Sequence, residues 1–289
     1  MAPSAQHHCP AGGSCHRGTL IESMETRPDR PDADGPIPGP LLFARYAWPP
    51  NERGYCGPAD GRALLEYGAA GVVDPGLTEL AQAFSGAWPY LQLIASEAGI
   101  TDPLDHRVVE AYWLGNSLLD GIDVTHLGNS LRDRFGPRTG TSWSYLAEAV
   151  PAGARPHHSF HVFGVYPWVG MLKGDHGDHP LEVLDRCRIR SGRVVASHGE
   201  KVIVRSRPLV FDGLRLRLGP EIEEEVVAAV DGYGFVGDLE PDEYVALHWD
   251  WVCGRLTDRQ RHALAHYTRH HVEMTNDHLA HPGPQMAMG

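Results

Sequence analysis

The residues best suited to chemistry are a cysteine and a handful of histidines. Cys187 stands in Asp185-Arg186-Cys187-Arg188-Ile189-Arg190, and His248 closes the stretch Glu243-Tyr244-Val245-Ala246-Leu247-His248. His157-His158-x-x-His161 forms a further cluster. Thiolate and neutral imidazole are donors for zinc, iron or nickel. The candidate metal ligands are therefore Cys187, His248, His157 and His161. Read as extended chain, His157 and His161 share one face and His158 takes the other, which makes a pair and not a complete site. By the same alternation Cys187 and Ile189 face away from Arg186, Arg188 and Arg190, whose positive field still favours thiolate. The bland alternative is a packed thiol, since free cysteine is among the most buried residue types.

Other cysteines and histidines carry less. Cys253 follows His248 by five residues, on the opposite face of an ideal strand, and reads as structural. Cys56, in Tyr55-Cys56-Gly57-Pro58, is either a small side chain in a turn or a thiol at a helix start; the turn is preferred. Cys9 and Cys15, with His7, His8 and His16, match no common zinc spacing. His262, His266 and His270 lie one helical turn apart, as weak nickel ligands or, preferred, as a solvated face.

The elements that must position these residues fall into two parts. Residues 1–40 are rich in Pro, Gly, Ala, Asp and Arg and are expected to be a disordered tail. Residues 41–150 carry helical signals: Asp74-Pro75 as a start, Leu77, Leu80, Ala81 and Phe84 on one face, and Gly99 as a stop. Helices are expected near 89–98, 105–119, 124–135 and 142–149, with Trp88, Trp113 and Trp143 in the core and an irregular loop over 45–61. From 151 to 256 the pattern becomes strand-like. Residues 157–168 alternate, and strands are expected at 189–196, 201–206, 214–218, 225–230 and 244–253, broken by turn pairs such as Asp212-Gly213 and Gly219-Pro220. This predicts a small OB-like β-barrel. Thr257-x-x-Gln260 is a capping box opening a helix over 257–280, with Leu264, Tyr267, His271 and Met274 on one stripe. Residues 281–289 form a second tail. The fold class is α+β: a helical domain, an OB-like barrel and a C-terminal helix.

Cys187-x-x-x-Ser191-Gly192-x-Val194, with Glu243-x-Val245-x-Leu247-His248 and a closing helix, resembles the HypC/HupF family of small [NiFe]-hydrogenase maturation chaperones. Those proteins open with a cysteine, three residues and Pro-Gly-x-Val leading into an OB-like barrel, and carry a later strand ending in histidine. The likeness covers roughly 183–275. This chain departs from it in the internal position of Cys187, in Ser191 for proline, in Trp249-Asp250-Trp251 after the histidine, and in a longer barrel. The resemblance implies that Cys187 carries an iron fragment during hydrogenase assembly and contacts partner proteins.

Bulk properties set the remaining limits. The formal charge of −12, from 25 basic and 37 acidic side chains, opposes nucleic acid as the main partner. No apolar run of membrane-spanning length and no secretory signal appears, so a cytoplasmic protein without membrane partners is expected. Gly-x-Ser-x-Gly, Walker, Gly-x-Gly-x-x-Gly and His-Glu-x-x-His motifs are absent. Glu221, Glu223, Glu224 and Glu225 read as a solvated strand start. The expectation is an assembly factor rather than an enzyme, handling an iron or nickel fragment or the immature hydrogenase large subunit, with other maturation proteins as partners. Two alternatives remain open. One is a metalloenzyme, with zinc among its possible metals, whose His157, His161, Cys187 and His248 converge between the two parts. The other is a metal-free OB-type interaction module.

Overall fold

The computed structural model describes residues 36–59, 61–139, 150, 153–174 and 176–281. The tail expected over 1–40, apart from 36–40, lies outside the described residues, as do the helix expected at 142–149 with Trp143, Cys9, Cys15 and the segment from 282. Six helices come first: α1 (Gly39–Glu52), α2 (Gly61–Ala70), α3 (Pro75–Gln82), α4 (Trp88–Glu97), α5 (His106–Trp113) and α6 (Val124–Thr139). Asp74 caps α3 as expected, accepting from the Leu77 amide. Trp113 is buried, while Trp88 is only partly so. Helix α1 corrects the loop expected from residue 45. It runs through Pro49 and Pro50 because Leu41, Leu42, Tyr46 and Trp48 are all buried, and its packing on α2 and α5 outweighs the two lost amides.

A second correction concerns 157–168, which is helical and not a strand. His157 caps a short helix, α7 (His158–Phe160), by accepting from the Ser159 amide, and a π-turn follows over His161–Val165. Residues 157–163 are buried without exception, so no two-residue alternation of faces exists there. Next come α8 (Trp168–Met171) and α9 (His179–Cys187). Pro180, Val183, Leu184 and Cys187 form the buried stripe of α9 at i, i+3, i+4, i+7.

The barrel therefore starts at residue 190 and not near 151. Its strands are β1 (Arg190–His198), β2 (Lys201–Ser206), β5 (Ile222–Val227), β8 (Tyr244–His248) and β9 (Trp251–Arg255), closed in the order β1-β2-β5-β9-β8. Every pair is antiparallel except β5–β9, where Val227 meets Trp251. That order, with its single parallel pair, is the OB-type Greek key. The expected strand at 214–218 is instead half of a hairpin inserted before β5, in which β3 (Leu209–Phe211) pairs with β4 (Leu216–Leu218). A two-residue hairpin, β6 (Ala229–Val230) with β7 (Tyr233–Gly234), follows β5. Helix α10 (Asp258–Ala280) closes the chain behind the complete Thr257/Gln260 capping box and packs on β1, β4 and the 158–165 segment.

Strand β8 joins the two parts. Val245 and Leu247 point into the barrel core with Val194, Val204 and Val252, whereas Ala246 belongs to the core of the helical part. Buried on both sides, β8 fixes which way its last residue, His248, must face. Gly115 fixes another junction. It ends α5 at φ +89°, and a Cβ placed there would lie 2.1 Å from the Tyr267 ring on α10. Gly115→Ala is therefore expected to cost at least about 2 kcal/mol, from the unfavourable φ plus the clash. Urea unfolding of the variant checks this.

Candidate metal centre

Among the described residues, one group of His, Cys, Asp or Glu places three ligand atoms mutually within 4.8 Å: His158, Cys187 and His248. Three separate segments deliver them. Cys187 is the last residue of α9, His158 the first of α7, and His248 the end of β8. All three are buried, with exposures of 4%, 4% and 0%.

Hydrogen bonds fix the tautomer of each histidine and leave one nitrogen of His248 free for ligation. The Tyr46 carbonyl lies 2.6 Å from His248 Nδ1. A carbonyl only accepts, so Nδ1 carries the proton and Nε2 presents its lone pair. Nε2 is buried without a hydrogen-bond partner. A backbone carbonyl behind one ring nitrogen is the usual support of a metal-bound imidazole. His158 donates from Nε2 to the Cys187 carbonyl at 2.8 Å and accepts at Nδ1 from the Tyr112 hydroxyl at 3.3 Å. An ion bound by His158 would replace one of these two bonds. The rings of His158 and His248 meet edge to face at 5.0 Å, with Trp113 against both.

Burial also sets the protonation states. It pushes His158 down to about 4 and His248 well below its ordinary value, so both imidazoles are neutral at physiological pH. Burial pushes the Cys187 thiol far up, with a smaller contribution from Cys56, so it is protonated unless a cation takes the proton's place. Metal uptake must displace that proton. Affinity for zinc is thus expected to rise about ten-fold per pH unit between pH 6 and 8 for each thiol that binds, with no added steepness from the neutral histidines. Titrations against a competing chelator at several pH values measure the slope.

Of the four sequence-derived candidates, the centre takes Cys187 and His248 and leaves out His157 and His161. His157 turns toward α10, stacking on Tyr267 and bonding Ser159 Oγ at 2.7 Å, and that hydroxyl also meets His271 Nδ1 at 2.7 Å. His161 meets the Tyr90 hydroxyl at 3.3 Å through Nδ1. In a helical segment the three histidines fan out instead of alternating, and His158, set aside on the strand reading, is the one that arrives. Nothing local in His-His-x-x-His marks it. A local signal did exist for Cys187, whose i, i+3, i+4, i+7 stripe places it on a helix. The residue is accordingly buried, in the apolar cluster that also holds Val183, Leu184 and Trp249, rather than open at a barrel mouth. Cys56 lies in a turn before α2, where burial pushes its thiol up to about 12, and Cys253 is fully buried, both in line with the plainer readings. His262 and His266 are exposed.

Of the acidic run, Glu221, Glu223 and Glu225 are exposed as expected, and Glu224 alone is a correction. Glu224 turns into the barrel end and binds Arg190, Arg186 and Ser206. Arg190 is 2% exposed and also donates to the Trp249 carbonyl at 2.6 Å.

A sequence profile matches residues 35–282, thus helices, centre and barrel together. The chain belongs to DUF6390, a family of unknown function. No curated protein and no solved structure matches it. The DUF6390 match takes in all three donors and Tyr46, the backbone support of His248. Among the described residues no helix is long and apolar enough to cross a membrane.

Proposed function

We propose that this protein is a metal-handling accessory factor that holds an iron, nickel or zinc ion through His158, Cys187 and His248. The observation that carries the proposal is the meeting of two imidazoles and a thiol within 4.8 Å, with the Nε2 lone pair of His248 unpartnered. Two nitrogens and one sulfur with a fourth position left over suit tetrahedral, borderline-soft ions.

Within that class, the role we favour is in [NiFe]-hydrogenase maturation in the cytoplasm, with an iron or nickel species as cargo and the large subunit or another maturation protein as partner. Supporting it, the two landmarks of the HypC/HupF likeness, Cys187 at the end of α9 and His248 on β8, come together beside a barrel of OB strand order. The acidic chain favours a basic face on the partner, so association should weaken with added salt. A second reading, a resident metal serving catalysis or stability, is favoured by burial, since cargo is easier to pass from an open site.

Two measurements test these readings. Elemental analysis of protein purified without chelators should find metal that Cys187→Ala loses; this substitution, in a buried position, is expected to cost about 1 kcal/mol of stability. A host strain lacking the gene should lose active [NiFe] hydrogenase, its large subunit accumulating unprocessed. Normal hydrogenase in that strain, with no redundant chaperone present, ends the maturation role and leaves the resident-metal reading. Metal-free protein that takes up no ion ends both.

A further inference from the structure

Building on the metal reading, we infer that Cys56 is the fourth ligand, carried onto the centre by the loop between α1 and α2. Three donors leave one position of a tetrahedral thiolate and imidazole site to fill.

The loop is built to present Cys56 inward. Arg53, Gly54, Tyr55 and Gly57 are exposed, while Cys56 between them is partly buried. Asn51, at the end of α1, clamps the turn by donating from Nδ2 to the carbonyls of Cys56 and Pro58, both at 2.7 Å. Gly57 makes the turn at φ +86°, where a Cβ would strike Phe84 at 2.4 Å and Asn51 at 2.7 Å.

The outer side of the loop lies on the β8–β9 turn beside the centre. The Tyr55 ring stacks on Trp249 at 4.5 Å, the Arg53 guanidinium lies over the same indole, and Arg53 pairs with Asp250 at 3.0 Å. Trp249 in turn shares the apolar cluster of Cys187 and donates its amide to the carbonyl of Arg186, the residue before Cys187, at 2.7 Å. Cys56 thus follows Tyr55, whose ring stacks on Trp249, a member of the apolar cluster that holds Cys187. The two thiols are near enough that charge on Cys56 disfavours charge on Cys187. Independently, the buried and unpartnered Nε2 of His248 points to a ligand at this centre.

Cys56 stands outside the 4.8 Å group of three. Ligation therefore draws it inward, and the loop has the means to follow. It meets the barrel through one exposed ion pair, the Tyr55 stack and the Arg53 guanidinium over Trp249, and a Cβ at Gly54 (φ +73°) would meet nothing within 4 Å. Each thiol that binds releases its proton to solvent, and the ion gains a second sulfur.

Cobalt(II) titration of the full chain under reducing conditions tests the assignment, since the sulfur-to-cobalt charge-transfer band scales with the number of bound thiolates. Wild type should show a two-thiolate band. Cys56→Ala should roughly halve its intensity and weaken binding at least about ten-fold. In parallel, zinc should protect Cys56 from iodoacetamide in wild type, with the modified peptide identified by mass spectrometry. Unchanged band intensity in Cys56→Ala, or undiminished alkylation of Cys56 in the zinc-loaded protein, overturns the assignment while leaving the three-ligand centre standing. A wild-type protein that binds neither cobalt nor zinc overturns both. Cys56→Ser, which keeps size and polarity, separates lost ligation from a disturbed turn: it should behave like Cys56→Ala.

Discussion

His158→Ala is expected to weaken zinc binding about 100-fold or more, while His161→Ala, three residues along, changes it less than about three-fold. The magnitude follows from spreading the roughly 10–16 kcal/mol of a structural zinc site over four donors, which gives about 3 kcal/mol per ligand. The contrast follows from the helical segment, which sends His158 to Cys187 and His248 but His161 to Tyr90. His248→Ala should fall with His158→Ala, and His157→Ala with His161→Ala. Competition titrations give the affinities, and circular dichroism of each metal-free variant identifies any that has lost structure instead. Equal losses at His158 and His161 would sink the assignment of the centre.

Arg190→Ala is expected to destabilise the metal-free protein by about 3–5 kcal/mol, because it removes one partner of a buried ion pair and leaves Glu224 short of a cation at the barrel end. Arg186 cannot replace it fully, since it already pairs with Glu224 and with Asp250, each at 2.7 Å. The pair should matter less than either half. Arg190→Met combined with Glu224→Leu should come within about 2 kcal/mol of wild type, as apolar replacements of buried ion pairs commonly do. Urea unfolding of the two variants decides it. A double variant as unstable as the single one would show that the plug depends on its hydrogen bonds to Ser206 and Trp249 rather than on compensated charge.

What the sequence made legible was local. The Thr257/Gln260 box and the stripe through Leu264, Tyr267 and His271 announce α10, and Asp74-Pro75 announces α3. Turn pairs at Gly199 and Asp212-Gly213 mark strand ends, though not which strands join the ring. Periodicity failed where burial is complete. Around 157–163 every side is covered, so apolar and histidine residues carry no face preference, and an apparent two-residue alternation was accidental. Around Pro49-Pro50, local chemistry argues against a helix that tertiary packing nevertheless enforces. Glu224 looked solvated because its arginine partners come 34 and 38 residues earlier. The nearness of Cys187 to His248 was expected from donor chemistry and from the family likeness, and no local pattern marks it. His158 had no such cue, because its place depends on the path of the whole 157–165 segment.

The hydrogen bond from His248 to the Tyr46 carbonyl spans 202 positions of the chain. During synthesis at roughly 5–20 residues per second, about 10–40 s separate the making of α1 from the arrival of β8. Until then the buried face that α1 turns toward the barrel has nothing to lie against, and His158 and Cys187 wait without their third companion. An ion held by this centre would therefore arrive only after β8 has been made. A ribosome paused before β8 would hold out an apolar helix face, a natural substrate for the general chaperones that guard nascent proteins.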